Sequence, residues 1–401
     1  MVKRIKNSLR RLMLLYKRIL FGIARILIRP DEKTILFESF QGRNYACNPK
    51  GIFEAMIQEK AYEDFRYIWV FRDVEKGKAL LPKGNYKVVR FESFAYYKAL
   101  ARAKYWVLNS NPRGFVKPRE QQVFVQTWHG TPLKKIGCDV EREGNAVTKV
   151  SEILELYHRE AKKISYMISP SAYCTEKLIS AFDLKVCGKE SVVLETGYPR
   201  NDSLFRGTPE RVKAIKNGMN IPLDKKVLLY APTFRDNKHS EVGGFSVEQG
   251  IDFDLLKEQI GDEFIVLFRA HYFIAKRLDF QKYAGFVYDV SDVNDVNDLY
   301  LVSDLLITDY SSVFFDYANL RRPMFFLMYD YEEYKNQVRD MYFDTDELPG
   351  PIVKDQEGLV AAIRDYNPME WQEKYERFHD KYNYLDGPDC GKKAARQIIG
   401  Y

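Results

Sequence analysis

The stretch DLLITDYSSVFFDYA, residues 304–318, joins a strand-like segment directly to a helix-like one. Its first half is a short apolar run, which is typical of a buried strand. Two serines, Ser311 and Ser312, then open a segment with helical character. A strand that leads into a helix is the repeating unit of parallel α/β folds, so this stretch predicts an α/β protein. In such folds, ligands bind beyond the carboxyl ends of the strands.

The same alternation of short apolar runs and longer helical patterns extends over most of the chain, which predicts parallel sheets flanked by helices. It restarts after a polar, helix-like segment, so we interpret residues 205–222 as a connector. On this interpretation, two doubly wound, Rossmann-like domains, residues 31–204 and 223–401, face a cleft. The apolar runs that predict strands are residues 34–40, 67–71, 105–110, 122–127, 166–171, 191–197, 226–232, 264–271, 286–290, 304–312 and 324–330.

The composition is that of a globular protein without an evident site for a metal or a redox cofactor. Hydrophobic residues make up 46% of the 401 residues, which is enough for packed cores in two domains. The five cysteines are scattered and contain no C-x-x-C pair, which fits a reducing cytoplasm rather than a disulfide framework or a zinc site. Neither a G-x-G-x-x-G nor a P-loop motif is present. We therefore predict an activity that uses no metal and no cofactor.

Residues 1–30 form a separate unit, with nine Lys and Arg and no acidic residue. Helical spacing places the basic residues on one face and an apolar set on the other: Ile5, Leu9, Leu12, Tyr16, Ile19, Ile23 and Leu27. A membrane-spanning helix is disfavoured, because Lys17, Arg18 and Arg25 would each cost about 2.5 to 3.5 kcal/mol near the bilayer centre. The pattern favours a helix that lies on an anionic membrane surface. The alternatives are a helix packed on the protein and a nucleic-acid arm, and the broad apolar face disfavours nucleic acid.

Polar motifs follow several predicted strands, at the sheet edge where a doubly wound fold binds its ligand. In the first domain they are WHGTP (128–132) and GYPRND (197–202). In the second they are APTFRD (231–236), RAH (269–271) and TDYSSVFFD (308–316). The His, Arg, Thr, Ser and Asp residues of these motifs suit the binding of a phosphate-containing substrate.

The residues of these motifs also have plain structural explanations. Ser311 and Ser312 either hold a phosphate together with the N–H groups of the helix start, or merely cap the helix. Arg200, Arg235 and Arg269 either bind a diphosphate or form surface ion pairs. The recurrence of arginine after strands favours the diphosphate.

The motifs QTWHGTPLKKIG, GYPRND, YAPTFRD, FRAH and ITDYSSVFFDYA, in this order, resemble those of the CDP-glycerol glycerophosphotransferase family, which builds wall teichoic acids. The matches run over most of the chain. The resemblance implies a GT-B fold of two Rossmann-like domains with a basic membrane-associating segment, which residues 1–30 also resemble. The chain is shorter than the large polymerases of the family, so a primase, a short-chain transferase and a polymerase all stay open.

Carried over by motif, the resemblance implies two catalytic histidines and a set of donor contacts. His129 would accept the proton of an acceptor hydroxyl that attacks the β-phosphorus of the donor, rather than being a structural histidine at a strand end. His271, with Arg269, would stabilise the charge that develops on the diphosphate. The residues expected to contact CDP-glycerol are Trp128, His129, Gly130, Thr131, Pro132, Arg200, Pro232, Thr233, Arg235, Arg269, Ala270, His271, Ser311, Ser312 and Asp316.

The function that the resemblance implies is transfer of glycerol phosphate from CDP-glycerol to a hydroxyl of a teichoic acid precursor linked to undecaprenyl diphosphate, with release of CMP. The alternatives are a CDP-ribitol donor, a nucleotide-sugar glycosyltransferase of the same fold, and a non-catalytic membrane-bound binding module. We expect a peripheral protein on the cytoplasmic face of the cell membrane. Its expected partners are the donor, the lipid-linked acceptor and anionic lipid, with no nucleic acid, and a homo-oligomer stays open.

Overall fold

Two parallel β-sheets organise the chain, as the alternation of apolar runs predicts. The computed structural model describes residues 2–141, 149–233, 239–240, 244–245, 251–269, 280–331 and 341–400. Within these residues the first sheet has seven strands, the second has six, and each is doubly wound. The predicted parallel α/β fold with two Rossmann-like sheets is therefore confirmed.

The first sheet lies in the amino-terminal half of the chain. Its strands are β1 (Asp31–Glu38), β2 (Arg66–Phe71), β3 (Lys87–Arg90), β4 (Ala103–Leu108), β5 (Val123–Gln126), β6 (Tyr166–Ser169) and β7 (Val193–Glu195). They lie in the order β3-β2-β1-β4-β5-β6-β7, and each neighbouring pair is parallel. Leu36, Trp106 and Phe124 are fully buried, since a parallel sheet carries helices on both faces.

The helices of this half come before, between and after the strands. They are α1 (Val2–Leu27), α2 (Cys47–Met56), α3 (Val74–Leu80), α4 (Phe94–Arg102), α5 (Val150–Ala161), α6 (Ala172–Ala181) and α7 (Asp202–Phe205). Asp73, Ser93 and Ser171 cap α3, α4 and α6 by accepting hydrogen bonds from backbone N–H groups. These caps fix where the helices begin, and hence where the preceding strand ends lie.

The second sheet repeats this arrangement. Its strands are β8 (Lys226–Ala231), β11 (Phe264–Phe268), β12 (Val287–Asp289), β13 (Leu305–Thr308), β14 (Met324–Leu327) and β15 (Ile352–Val353), and a separate antiparallel pair consists of β9 (His239–Ser240) and β10 (Gly244–Phe245). The strand order is β12-β11-β8-β13-β14-β15, again parallel throughout. The helices are α8 (Pro209–Gly218), α9 (Phe253–Ile260), α10 (Val296–Val302), α11 (Val313–Tyr317), α12 (Gln356–Arg364), α13 (Pro368–Tyr382) and α14 (Cys390–Ile399).

The last helix, α14, packs on the first domain rather than the second. Ala394, Ala395 and Ile398 are buried in the core of the first sheet. A Cβ on Gly391 would lie 2.6 Å from the carbonyl oxygen of Gly51, so glycine allows α14 and α2 to approach closely. The predicted limits of the two domains stay a prediction, but by its packing α14 belongs with the first core.

The amino-terminal helix α1 is only partly packed on the protein. Phe21 and Ala24 are buried in the first core, and Lys17 pairs with Glu92 at 2.5 Å. Another face is exposed and apolar, in agreement with the apolar face predicted from the sequence: Leu9, Leu12, Tyr16, Ile19, Ile23 and Leu27. None of the described helices combines the length and the hydropathy that a membrane span requires.

Candidate active site

The carboxyl ends of strands from both sheets border one cleft of about 410 Å³. The first domain contributes the loop after β5, and the second contributes the segments after β8, β11 and β13. The cleft therefore draws on four of the five motifs that the sequence singled out. Of the expected donor contacts, those that line it are Trp128, His129, Gly130, Thr131, Pro132, Pro232, Thr233, Arg269, Ser311 and Ser312.

The loop after β5 holds the His129 ring in a fixed position. Trp128 has a left-handed backbone with φ of +50°, which for a bulky residue costs about 1–3 kcal/mol and is typical of functional sites. The Trp128 N–H donates to Gln126 Oε1 at 3.0 Å, and Asn48 Nδ2 donates to the Thr127 carbonyl at 2.8 Å. The rings of Trp128 and His129 stack at 4.3 Å. The strained turn thus places the imidazole in the cleft.

The surroundings of His129 favour its neutral form. The ring is exposed to the cleft, but the cleft walls crowd it, and the ring of Phe40 lies 6.0 Å away. This partial removal of water, together with the charge of Arg200, lowers the pKa of His129 below its usual value of 6.5. At neutral pH the imidazole is therefore able to accept a proton, as a general base must.

Arg200 and Asp316 lie behind the cleft and do not line its wall. Both side chains are buried, and Arg200 Nη2 and Nε donate to Asp316 Oδ1 at 2.7 and 3.1 Å. Arg200 Nη1 donates to the carbonyl oxygen of His129 at 2.5 Å. Burial lowers the pKa of Arg200, but Asp316 outweighs that effect and raises it, so the guanidinium stays charged. The pair links the backbone of His129 to α11 in the second domain.

A buried network of amides extends this connection. Asn201 Nδ2 donates to Asp316 Oδ1 at 3.0 Å and to Asp386 Oδ2 at 2.8 Å. Asp386 also accepts from the Tyr198 N–H at 2.7 Å and from Asn319 Nδ2 at 2.9 Å. The motif GYPRND therefore contributes to the junction between the domains rather than to the cleft wall.

On the second domain, Arg269 and Asp309 set the geometry of the cleft. Arg269 Nη1 donates to the carbonyls of Val290 at 3.2 Å and Val293 at 3.1 Å, which anchors the guanidinium at the cleft. Asp309 Oδ1 accepts from the N–H of Thr233 at 2.8 Å and of Tyr310 at 2.6 Å. This carboxylate joins the segments after β8 and β13. It therefore holds the motifs APTFRD and TDYSSVFFD next to each other.

Ser312 approaches the first domain across the cleft. It precedes α11, but its side chain makes no capping hydrogen bond. Helix capping therefore does not account for a hydroxyl group at this position. A Cβ on Gly130 would lie 3.3 Å from Ser312 Oγ. Glycine at position 130 therefore keeps open the narrow gap between the loop of His129 and Ser312.

Some sequence predictions lie elsewhere. Arg235, Ala270 and His271 fall outside the described residues, so their roles stay predictions.

Three groups that the sequence did not suggest as a cluster come together away from the cleft: the potential ligand atoms of Cys138, His158 and Asp183 lie within 4.8 Å of one another. Since these residues come from different elements, their spacing in the chain carried no metal-binding signal.

Sequence reasoning missed other residues that form this region. Asn201 and Asp309 lay inside motifs that the sequence had singled out, so their position next to those motifs was an available signal. Asn48 had no such signal, because it lies in α2 and bridges two distant segments: it donates to the Thr127 carbonyl and accepts from the Arg200 N–H at 3.2 Å. The cleft is also lined by Leu133, Lys134, Ile136, Ala231, Tyr310 and Val313.

Comparison with known proteins gives concordant matches. Residues 21–399 match the family described as CDP-Glycerol:Poly(glycerophosphate) glycerophosphotransferase. The chain is 38% identical over 385 residues to a teichoic acid poly(glycerol phosphate) polymerase of Bacillus spizizenii, covering 95% of each chain. It is 35% identical over 402 residues to a teichoic acid glycerol-phosphate transferase of Staphylococcus aureus, covering 98% of this chain and 100% of the relative. A solved structure of the wall teichoic acid polymerase TagF is similar with a TM-score of 0.87 at 37% identity, covering 99% of this chain and 97% of that one.

Proposed function

This chain belongs to the CDP-glycerol:poly(glycerophosphate) glycerophosphotransferase family and is a glycerophosphotransferase, and we propose that its cleft transfers glycerol phosphate from CDP-glycerol to an acceptor hydroxyl. The observation that carries this proposal is that a histidine and groups suited to bind phosphate face one another across one cleft. His129 comes from the first domain, and Arg269 and Ser312 from the second. We interpret this arrangement of the two domains as a GT-B fold.

The proposed step is a displacement at the β-phosphorus of the donor. The acceptor oxygen forms a bond to this phosphorus, while the bond between the phosphorus and the oxygen that bridges the two phosphates breaks. CMP leaves with the bridging oxygen, and His129 takes the proton of the acceptor hydroxyl. Arg269 and the hydroxyls of Ser311 and Ser312 would hold the diphosphate and stabilise the charge that moves to the leaving phosphate. No described residue is assigned to a metal in this step.

The donor is the part of the proposal that most needs a direct test. Glycerol and ribitol differ in length, and the described residues carry no feature that selects one of them, so CDP-ribitol stays the second candidate. The purified protein is incubated in turn with CDP-glycerol, CDP-ribitol and a UDP-sugar, each with a lipid-linked acceptor, and release of CMP or UDP is measured. Release with CDP-glycerol well above the other two supports the proposal, whereas release only with the UDP-sugar contradicts it.

The pKa of His129 sets the expected pH dependence of transfer. A protonated imidazole has no lone pair for the acceptor proton, so activity is lost as pH falls through the pKa of the base. Because the cleft lowers this pKa below 6.5, we expect kcat/KM to stay level from about pH 6.5 to 8 and to fall only on the acid side. A CMP-release assay from about pH 4 to pH 8 measures both the level range and the fall. An acid limb centred above pH 6.5 would contradict His129 as the base.

We also propose that the protein works as a peripheral protein on the cytoplasmic face of the cell membrane, where it meets the lipid-linked acceptor. The exposed apolar side chains of α1 support this proposal, since a stripe of them lies beside basic residues. Undecaprenyl diphosphate as the lipid of the acceptor remains part of the same proposal.

Substitutions on α1 test membrane association more cleanly than its deletion, because removing residues 1–29 would also remove buried Phe21 and Ala24 from the core. In the Leu12→Ser/Ile19→Ser variant, two exposed apolar side chains of α1 are lost. We expect binding to anionic vesicles to weaken about tenfold, since each side chain loses part of its apolar burial in lipid. Co-sedimentation with vesicles measures the change.

The matched control for this prediction is Val186→Ser/Met369→Ser, which removes two exposed apolar side chains away from α1. It should bind vesicles as the unchanged protein does. An equal loss in both variants, or no loss in the α1 variant, would contradict the membrane-facing role of α1.

A further inference from the structure

A second cavity, of about 550 Å³, lies between α1 and the body of the first domain. One wall belongs to α1, and the other comes from the loop after β4 and from the end of α5. It shares no lining residue with the cleft. We call this cavity the arginine groove; its lining residues are Arg11, Leu14, Leu15, Arg18, Arg113, Gly114, Phe115 and Arg159.

The α1 wall of the arginine groove is one continuous helix face. Positions 11, 14, 15 and 18 follow the i, i+3, i+4, i+7 spacing that places side chains on one side of a helix. Leu14 and Leu15 are 49% and 54% exposed although they are apolar, and they lie between Arg11 and Arg18. Phe115 adds an apolar surface from the opposite wall. The arginine groove thus combines an apolar floor, formed by Leu14, Leu15 and Phe115, with four arginines beside it.

The charge of the arginine groove is positive. Glu92 pairs with Arg113 at 2.6 Å, but it also pairs with Lys17. The positive charge of Lys17 offsets the negative charge of Glu92. Glu160 is buried; it accepts from Arg159 Nε at 3.3 Å and from Lys163 with both of its oxygens at 2.9 Å. Because these two carboxylates are each matched by a lysine, the four arginines of the groove keep an excess of positive charge.

We propose that the arginine groove binds the phosphate of an anionic membrane lipid, with the first part of the lipid chains on Leu14, Leu15 and Phe115. Guanidinium groups bind phosphate oxygens with paired hydrogen bonds, and an apolar floor next to them suits a ligand that is both anionic and greasy. A free nucleotide would leave that floor exposed to water.

The position of the arginine groove supports a lipid as its occupant. It lies beside the exposed apolar stripe of α1, in which Leu12, Ile19 and Ile23 are 62%, 51% and 40% exposed. When this stripe enters the membrane, the arginines lie at the depth of the phosphates. A lipid phosphate held between α1 and the body would fix how the domain is oriented on the membrane. This inference rests on the proposed membrane association and not on the chemistry of the donor.

Arg113→Gln/Arg159→Gln tests the proposal, because both arginines lie off α1 and their loss leaves its stripe unchanged. We expect about tenfold weaker binding to vesicles that contain phosphatidylglycerol and no change with vesicles of phosphatidylcholine alone. Arg90→Gln/Lys185→Gln is the control, since it removes the same number of positive charges from exposed positions of the same domain. The control should change binding by less than about twofold. Circular dichroism melting confirms that each variant is folded.

Three outcomes would overturn the proposal: full binding by the groove variant, equal losses in the two variants, or displacement of the unchanged protein from vesicles by inorganic phosphate at constant ionic strength. The last would mean that the arginine groove takes a free anion. Transfer from CDP-glycerol to a water-soluble acceptor should be the same in both variants and in the unchanged protein. Failure of transfer in the unchanged protein would count against the proposed function alone, since vesicle binding is measured separately.

Discussion

Replacement of His129 by alanine should abolish glycerol phosphate transfer while donor binding survives. The ring is neutral at physiological pH and faces the cleft, so its loss removes the group that takes the acceptor proton. General base catalysis by a positioned histidine is worth about 10² to 10⁴ in rate, so kcat should fall by that factor. Calorimetry with CDP-glycerol should show nearly unchanged affinity, because the groups proposed to bind the diphosphate lie on the second domain. A CMP-release assay gives the rate.

The matched control is His158→Gln. This histidine contacts Asp183 outside the cleft, so its replacement should leave the rate within about twofold of the unchanged protein. If His129→Ala kept near-normal turnover, His129 would be a structural residue at the end of β5, and the proposed mechanism would be wrong. If both variants lost activity equally, the effect of His129 would not be specific to the cleft.

Much of the fold was predictable from the sequence because parallel strands are buried on both faces. Each predicted apolar run overlaps a strand of one of the two sheets. The strands of the two parallel sheets that were missed, β3 (Lys87–Arg90) and β15 (Ile352–Val353), lie at sheet edges. Only Val89 is buried in β3 and only Val353 in β15, so these segments lack a continuous apolar run. With one buried position each, these two strands show no period in the sequence.

The packing of α14 could not be predicted from the sequence for a different reason. A helix with one apolar face shows that it is packed, but it does not show which sheet it covers. The chain order suggested the second domain, whereas Ala394, Ala395 and Ile398 are buried in the first core. Such a choice depends on shape at the contact, here the close approach of Gly391 to Gly51.

The candidate site was predictable as a location but only partly as a set of roles. A strand end is visible in sequence, and the rule that ligands bind there brought His129, Arg269 and Ser312 together in advance. The partner of an arginine is not visible in sequence. Arg200 was expected at the diphosphate, yet its guanidinium faces Asp316. The neighbours of a buried charge follow from how the two domains meet, which no local pattern encodes.

Among the described ion pairs around the cleft, Arg200–Asp316 is the one whose disruption should lower the free energy of unfolding most. Asp316→Asn leaves the Arg200 guanidinium buried without its carboxylate, and such a loss destabilises a protein by about 3–5 kcal/mol. Urea unfolding should show this decrease in the free energy of unfolding. Asp389→Asn is the matched control, because Asp389 pairs with Arg206 at 3.0 Å where both side chains are partly exposed. An exposed pair of this kind is worth at most about 1 kcal/mol.

A double variant separates stability from positioning of His129. Arg200→Met/Asp316→Leu removes both charges, and replacing a buried ion pair by apolar residues of similar volume is often neutral or stabilising. It also removes the hydrogen bond from Arg200 to the His129 carbonyl. We therefore expect unfolding close to that of the unchanged protein, with kcat still about 10- to 100-fold lower and KM for CDP-glycerol nearly unchanged, because the base is misplaced. Full recovery of kcat together with stability would show that the pair only holds the domains together; persistent loss of kcat in a stable protein would show that it positions the base.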